Sequence, residues 1–300
     1  MIYLIILLII LLAINIFCLY LYRMVIDNRK TSIKPVGSSI YKAITTHSKK
    51  DADWLINHSK EITLTSFDGL TLHGYDANFK YDNYAILVHG YRGDGLELSR
   101  VAQKFYQLHF NILEIDLRGH GKSSGNYIGM GYDDSKDLLL WIKYLNKSYP
   151  HSKIILFGIS MGAATVMMAA GSNPKNVQLV IEDAGYESIW EEFKYQIHGL
   201  FHLPIFPFLY LTSFITKLKA HYSFKDGDVI NMVRKAKMPM LFIHGTDDTF
   251  INVNNAYHLY DAKQGIKEIL IIPHARHVES EQVANKKYWD TINKFIKNYL

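Results

Sequence analysis

The chain of 300 residues has a single cysteine, Cys18. A lone thiol excludes an intrachain disulfide framework and any cysteine-rich metal site, and it leaves the compartment open. No full phosphate loop of the Gly-x-x-x-x-Gly-Lys-Ser type occurs, and no Gly-x-Gly-x-x-Gly dinucleotide fingerprint, so no nucleotide cofactor is expected. Internal repeats and low-complexity tracts are also missing. Apolar runs recur along the whole length, which argues against disorder and for one large globular domain with a small appendage.

Charge is missing from the first 22 residues. Met1 to Tyr22 is apolar apart from Asn15, and the run ends at Arg23. Around 20 such residues at 1.5 Å rise span the roughly 30 Å hydrocarbon core of a bilayer. The alternative is a cleaved signal peptide, which calls for a basic leading region and a small-x-small cleavage site. Nothing basic precedes this run, and Asn15-Ile16-Phe17-Cys18-Leu19-Tyr20 offers no small pair. The expectation is an uncleaved single-pass anchor over residues 1–22, followed by a polar basic linker over 23–60 broken by Pro35, Gly37-Ser38-Ser39 and Lys49-Lys50. The linker holds eight Lys or Arg against Asp27, Asp51 and Asp53, a balance of 8 − 3 = +5 that equals the net charge of the whole chain. A basic stretch beside an apolar helix suits an anionic lipid surface better than nucleic acid, although a solvated tether would read the same way. By the positive-inside rule the residues after the anchor face the cytoplasm.

From residue 61 the pattern changes. Alternation over Ile62–Ser66 and Leu70–Tyr75 about Asp68-Gly69 reads as an antiparallel hairpin. Short apolar runs then alternate with helix-length segments: 85–88, 112–115, 154–157, 179–181, 240–243 and 269–272 as strands, and about 95–108, 132–147, 161–172, 253–262 and 281–299 as helices. Continuous apolar strands are buried on both faces, and the βα alternation predicts a mostly parallel, twisted α/β sheet of about eight strands with helices on both sides. A stretch over about 186–235, rich in large apolar side chains, is longer than any crossover needs and reads as a helical cap inserted into the domain of 61–300.

The chemistry centres on Gly158-Ile159-Ser160-Met161-Gly162, which joins an apolar strand directly to an Ala- and Met-rich helix. Gly-x-Ser-x-Gly at a strand-to-helix turn is a nucleophile elbow. Its glycines let neighbouring elements approach, and the helix N-terminus favours developing negative charge. The methionines after Ser160 read as core. A serine nucleophile needs a base, and His277, just after the last apolar strand, is the candidate, with His274 as the local alternative. An acid must hold the imidazole tautomer. Asp248, after the strand 240–244, is the candidate, with Asp247 and Asp183 as alternatives. The order Ser, Asp, His differs from that of chymotrypsin and subtilisin. The oxyanion hole calls for the backbone N–H of Met161 and one from the loop His89-Gly90-Tyr91-Arg92-Gly93, assigned to Tyr91. His198 and His202 lie four apart, but Gly199 interrupts them and no Glu follows, so no metal site is expected.

These landmarks, with Val88–Tyr91, Asp116–Gly125, Ile243-His244-Gly245 and Ala275–Ser280, resemble the α/β-hydrolase superfamily over roughly residues 60–300. The similarity is to bacterial cap-bearing members with an N-terminal membrane segment, a group of esterases, acyl hydrolases and serine-aminopeptidase-like proteins. The resemblance implies the α/β-hydrolase fold, a Ser160–Asp248–His277 triad without cofactor or metal, and a structural role for the Arg118–Gly121 turn including His120. One departure is visible: the His-Gly-x-x-Asp motif is normally followed by Val-Pro, and here by Thr249-Phe250, which should alter the loop but not the acid.

The expected function is hydrolysis of an ester or thioester of a hydrophobic acyl substrate through an acyl-enzyme. The expected partners are that small molecule and, through the N-terminal helix, membrane lipid; nucleic acid is not expected and the oligomeric state is open. Two alternatives stand. A peptidase acting on short peptides would use Glu187, Glu191 or Glu192 to receive a free amine, and a catalytically silent relative would serve as a membrane-bound binding protein.

Overall fold

The computed structural model describes residues 1–29 and 48–300. It holds an eight-stranded sheet: β1 Lys60–Thr65, β2 Thr71–Ala77, β3 Asn83–Val88, β4 Phe110–Asp116, β5 Ile154–Ile159, β6 Val177–Asp183, β7 Met240–Gly245 and β8 Lys267–Ile272. The spatial order is β1-β2-β4-β3-β5-β6-β7-β8. The β1–β2 and β2–β4 pairs are antiparallel and every other neighbouring pair is parallel. Strand order reverses between β4, β3 and β5, and crevices at the carboxyl ends beside such a reversal are where open α/β sheets bind ligands.

Two apolar layers cover the sheet. On one side α3 Ser99–Gln107 and α11 Asn285–Tyr299 bury Phe105, Tyr288, Ile292 and Phe295 against the inner residues of β3 to β8. On the other, α4 Tyr132–Ser148, α5 Met161–Ala170 and α9 Asn254–Ala262 pack Trp141, Leu145, Met167 and Leu259. Every residue of α5 is buried, which is why it is built from Gly, Ala, Thr, Val and Met. The short α10 Ser280–Val283 leads into α11. Between β6 and β7 the cap comprises α6 Ile189–Phe201, α7 Ile205–Ala220 and α8 Val229–Lys235.

The structure departs from the sequence expectation in the stretch assigned to a linker. Helix α2, Lys49–His58, stands within it, started by a capping box in which Ser48 and Asp51 satisfy each other's backbone N–H. Ala52 and Leu55 are buried, and the Trp54 ring lies 5.9 Å from Phe79 and 5.6 Å from Tyr106. Two apolar positions among charged residues carry too weak a periodicity to be read directly. The Pro35 and Gly37-Ser38-Ser39 breakers lie outside the described residues.

The N-terminal helix departs too. Helix α1 runs Ile2–Val25, past the expected end at Tyr22, and is long and apolar enough to cross a membrane by length and composition. Its first half is exposed, whereas Cys18, Leu21, Tyr22 and Met24 are buried against the α/β domain. Beyond it the chain is pinned rather than free. Ile128 N–H donates to the Ile26 carbonyl at 2.8 Å, Asn28 N–H donates to the Asn126 carbonyl at 3.0 Å, and Ile26 is fully buried.

Candidate active site

Ser160 stands at the turn from β5 into α5 with φ 53° and ψ −118°, a region costly for a residue with a Cβ, by about 1–3 kcal/mol. The neighbouring glycines explain how the turn is tolerated. A Cβ on Gly158 would sit 2.3 Å from the Gly162 carbonyl oxygen, and one on Gly162 would sit 2.1 Å from that of Val88. Both positions therefore exclude any side chain, and the turn is locked by Ser160 N–H donating to the Asp183 carbonyl at 2.8 Å.

His277 follows β8 and places its Nε2 2.9 Å from Ser160 Oγ and its Nδ1 2.7 Å from Asp248 Oδ2. All three side chains are buried. Asp248 Oδ1 accepts the backbone N–H groups of Phe250 at 2.9 Å and Ile251 at 2.8 Å. The departure from Val-Pro thus matters locally, because a proline at position 250 would have no N–H to give. Burial alone would raise the Asp248 carboxyl, but the positive field of His277 and hydrogen bonds from His244 and His277 hold it well below the usual carboxylate range.

The alternatives are engaged elsewhere. His274 is exposed and lies 3.6 Å from Asp247 on the surface. Asp183 accepts the Tyr288 hydroxyl at 2.9 Å, and desolvation pushes its carboxyl up to about 7. His120 accepts from Arg92 N–H at 3.2 Å and donates to the Arg118 carbonyl at 2.9 Å, and burial lowers it to about 3, so it is a neutral clamp between two loops. His202 ends α6 in a left-handed conformation, so it does not continue the helix that carries His198.

Three contributors had no role assigned from the sequence. His244 Nε2 donates to the Ile251 carbonyl at 2.9 Å and lies 3.1 Å from Asp248 Oδ2, bracing the acid loop from β7. Glu97 accepts Gly90 N–H at 2.9 Å and so fixes the loop that carries Tyr91, its carboxyl raised by burial to about 7. The end of α1 is the third. The Tyr91 hydroxyl donates to the Val25 carbonyl at 2.7 Å and Arg92 Nη2 to the Met24 carbonyl at 2.9 Å, satisfying carbonyls that a helix C-terminus leaves open. An apolar run gives no hint that its last turn docks into a site.

A cavity of about 630 Å³ opens on Ser160, with Tyr91 and Met161 in its wall. Its other walls are mostly apolar: Met24 and Val25 from α1, Phe193 and Phe201 from the cap, and Phe250 and Ile251 from the acid loop. Glu192 is its acidic lining residue. Burial pushes that carboxyl up to about 8, and Gln196 Nε2 donates to it at 2.8 Å. Among the described residues no group of three His, Cys, Asp or Glu could hold a metal ion.

Comparison with known proteins shows the family and the fold. The family model for serine aminopeptidase S33 matches residues 80–230, and one for PhoPQ-activated pathogenicity-related proteins matches 211–299. The Bacillus subtilis protein YqkD is 28% identical over 247 residues, covering 80% of this chain and 81% of its own. The Arabidopsis thaliana α/β-hydrolase domain-containing protein WAV2 is 24% identical over 262 residues, 80% of this chain and 79% of its own. A Pyrococcus furiosus esterase superposes with a TM-score of 0.68 at 24% identity, covering 85% of this chain and 95% of its own. The chain belongs to the serine aminopeptidase S33 family of α/β hydrolases.

Proposed function

We propose that this protein is a membrane-anchored serine hydrolase that cleaves an ester or thioester of a hydrophobic acyl group, with Ser160 as nucleophile, His277 as base and Asp248 as acid. The observation that carries the proposal is the unbroken hydrogen-bonded chain Asp248–His277–Ser160 at the floor of an apolar cavity. Ser160 Oγ attacks the carbonyl carbon while His277 Nε2 takes its proton, and Asp248 stabilises the imidazolium that forms. The tetrahedral oxygen is received by the main-chain N–H groups of Met161, at the start of α5, and Tyr91. Collapse expels the alcohol or thiol with the proton held on His277. Water then repeats the sequence on the acyl-Ser160 ester and releases the acid.

The apolar walls support an acyl chain over a charged group. The acids that a peptidase would need are committed: Glu187 to His258 at 2.8 Å, Glu191 to Lys194 at 2.8 Å, and Glu192 to a buried, protonated state at neutral pH. Helix α1 serves as the anchor in this reading, and the basic residues from Arg23 onward favour a cytoplasmic catalytic domain.

A fluorophosphonate probe tests the proposal on full-length protein. Wild type should label, and Ser160→Ala should lose labelling and about a millionfold of turnover without a change in unfolding midpoint. A panel of chromogenic esters of rising chain length, run beside aminoacyl amides, reads the substrate class. Amides cleaved faster than esters would favour the peptidase, and an unlabelled wild type would favour the silent binding protein.

A further inference from the structure

Helix α1 does more than tether. Phe17 packs edge-to-face on Phe208 of α7 with centroids 5.6 Å apart, and Cys18 Sγ lies 3.7 Å from the Phe208 carbonyl. Arg23, exposed, is the first charged residue of the chain and marks where the helix can leave hydrocarbon. Phe17 and Cys18 lie five to six residues earlier in α1, roughly 8 Å deeper along its axis. The start of α7, packed on them, is therefore carried to the bilayer surface or below it.

The exposed face of α7 fits that position. Tyr210, Phe214 and Leu218 recur every four residues and are 48%, 57% and 64% exposed, with Phe206 ahead of them at 74%. Tyr210 is partly covered by the Trp190 ring, with centroids 5.0 Å apart, whereas Phe214 and Leu218 are the more open positions. Its border carries the side chains found at membrane interfaces: Lys217 and Lys219 in the last turn of α7, and Lys225 lying 4.9 Å over the Trp190 ring and 5.8 Å over that of Tyr210.

A second, apolar cavity of about 360 Å³ lies between α1, α6 and α7. It shares Met24, Phe193 and Phe201 with the cavity on Ser160, and it extends one turn back along α1 to Leu21, with Leu209 of α7 in its wall. The apolar space beside the nucleophile thus continues toward the membrane end of the helix. We propose that α7 rests in the bilayer interface beside α1 and that the acyl pocket fills from that side, so that the substrate is an acyl lipid resident in the membrane. This rests on the reading of the chain as a membrane-anchored acyl hydrolase.

The test uses full-length protein in vesicles of phosphatidylcholine and phosphatidylglycerol. In vesicles with brominated acyl chains, the fluorescence added by Phe214→Trp should be quenched by at least about twofold. An unquenched signal overturns the placement of α7. If the protein is then a dimer that Phe214→Glu dissociates, the stripe belongs to a second copy of the chain. The double variant Phe214→Glu, Leu218→Glu should hydrolyse a long-chain ester dissolved in the vesicles at least about tenfold more slowly than wild type, while a water-soluble butyrate ester stays within about twofold. Unchanged hydrolysis in the vesicles overturns filling from the bilayer. Should the double variant fail to fold, the Phe214→Trp measurement decides alone. A wild type inactive on both esters removes the hydrolase reading instead, and the quenching still tests where α7 lies.

Discussion

His244 and His277 share one oxygen of Asp248: Nε2 of the first lies 3.1 Å from Oδ2, and Nδ1 of the second 2.7 Å. The same His244 nitrogen donates to the Ile251 carbonyl, so a single buried imidazole ties the end of β7 to the loop carrying the acid. His244 touches no reacting atom. It positions Asp248, and its own affinity for protons is raised over the desolvation that opposes it by its contact with Asp248. Losing a hydrogen bond to a charged group costs about 1.5–3 kcal/mol, or roughly tenfold to a hundredfold in rate. His244→Gln should therefore lower kcat by that amount with KM nearly unchanged. A positioning role would also alter the pH profile of kcat, because Asp248 would support the imidazolium less well; a fall in KM-related binding alone would contradict it.

Asp248 and Asp183 make opposite predictions as candidate acids. Asp248 is hydrogen-bonded to His277, whereas Asp183 spends its carboxyl on Tyr288. Asp248→Asn should cost about four orders of magnitude in kcat, since the amide favours the wrong imidazole tautomer. Asp183→Asn should leave kcat within about tenfold and act mainly on stability. Steady-state kinetics on one soluble ester, with unfolding midpoints for both variants, separates them. The reverse ranking would move the acid to β6.

Stability should fall as pH rises through neutrality. Desolvation raises the buried carboxyls of Asp134 to about 7, Glu182 to about 8 and Glu192 to about 8. Well below about pH 4 such groups are protonated in both folded and unfolded chains. Above it the unfolded chain releases protons that the folded one keeps, so folding is progressively disfavoured until the folded groups ionise near pH 8. Asp248, held low, works in the other direction in the acid range, and so do the buried neutral His89 and His120 up to about pH 6.5, so the decline is read above that value. Glu182 isolates the effect: its Oε2 accepts Gly185 N–H at 2.9 Å while Oε1 has no hydrogen-bond partner. Glu182→Gln should flatten the decline between about pH 6.5 and 8.5 and raise the denaturation midpoint at the alkaline end. A midpoint that rises with pH over that window would contradict the buried, protonated state.

The sheet was readable because strands buried on both faces leave continuous apolar runs, and β3 and β5 to β7 are buried along nearly their whole length. The serine turn was readable because backbone contacts near 2 Å forbid a side chain at Gly158 and Gly162, so the constraint is written as residue identity. Contacts made by generic side chains leave no such trace. Nothing in Glu97 signals that it holds Gly90, and nothing in Met24 signals that it faces Ser160 across a cavity. Helix α2 was missed for a related reason, since Ala52 and Leu55 are its buried apolar positions.

Met24 and Phe201 line the wall shared by the two apolar cavities, so they should set the length of acyl chain that fits. Met24 comes from α1 and is buried, so on the proposed reading the N-terminal helix would help to set specificity. Met24→Trp adds bulk to the partition and should move the optimum of kcat/KM toward shorter chains. Phe201→Ala opens it and should move the optimum toward longer ones. Each methylene that loses or gains apolar burial changes transition-state binding by about 0.8 kcal/mol, or roughly fourfold in kcat/KM. A difference of three methylenes should therefore separate the variants by more than about tenfold. The measurement is kcat/KM across a series of straight-chain esters on all three proteins in detergent. Profiles that superpose would mean that the acyl group lies elsewhere, and the end of α1 would then be a structural clamp on Tyr91 and Arg92.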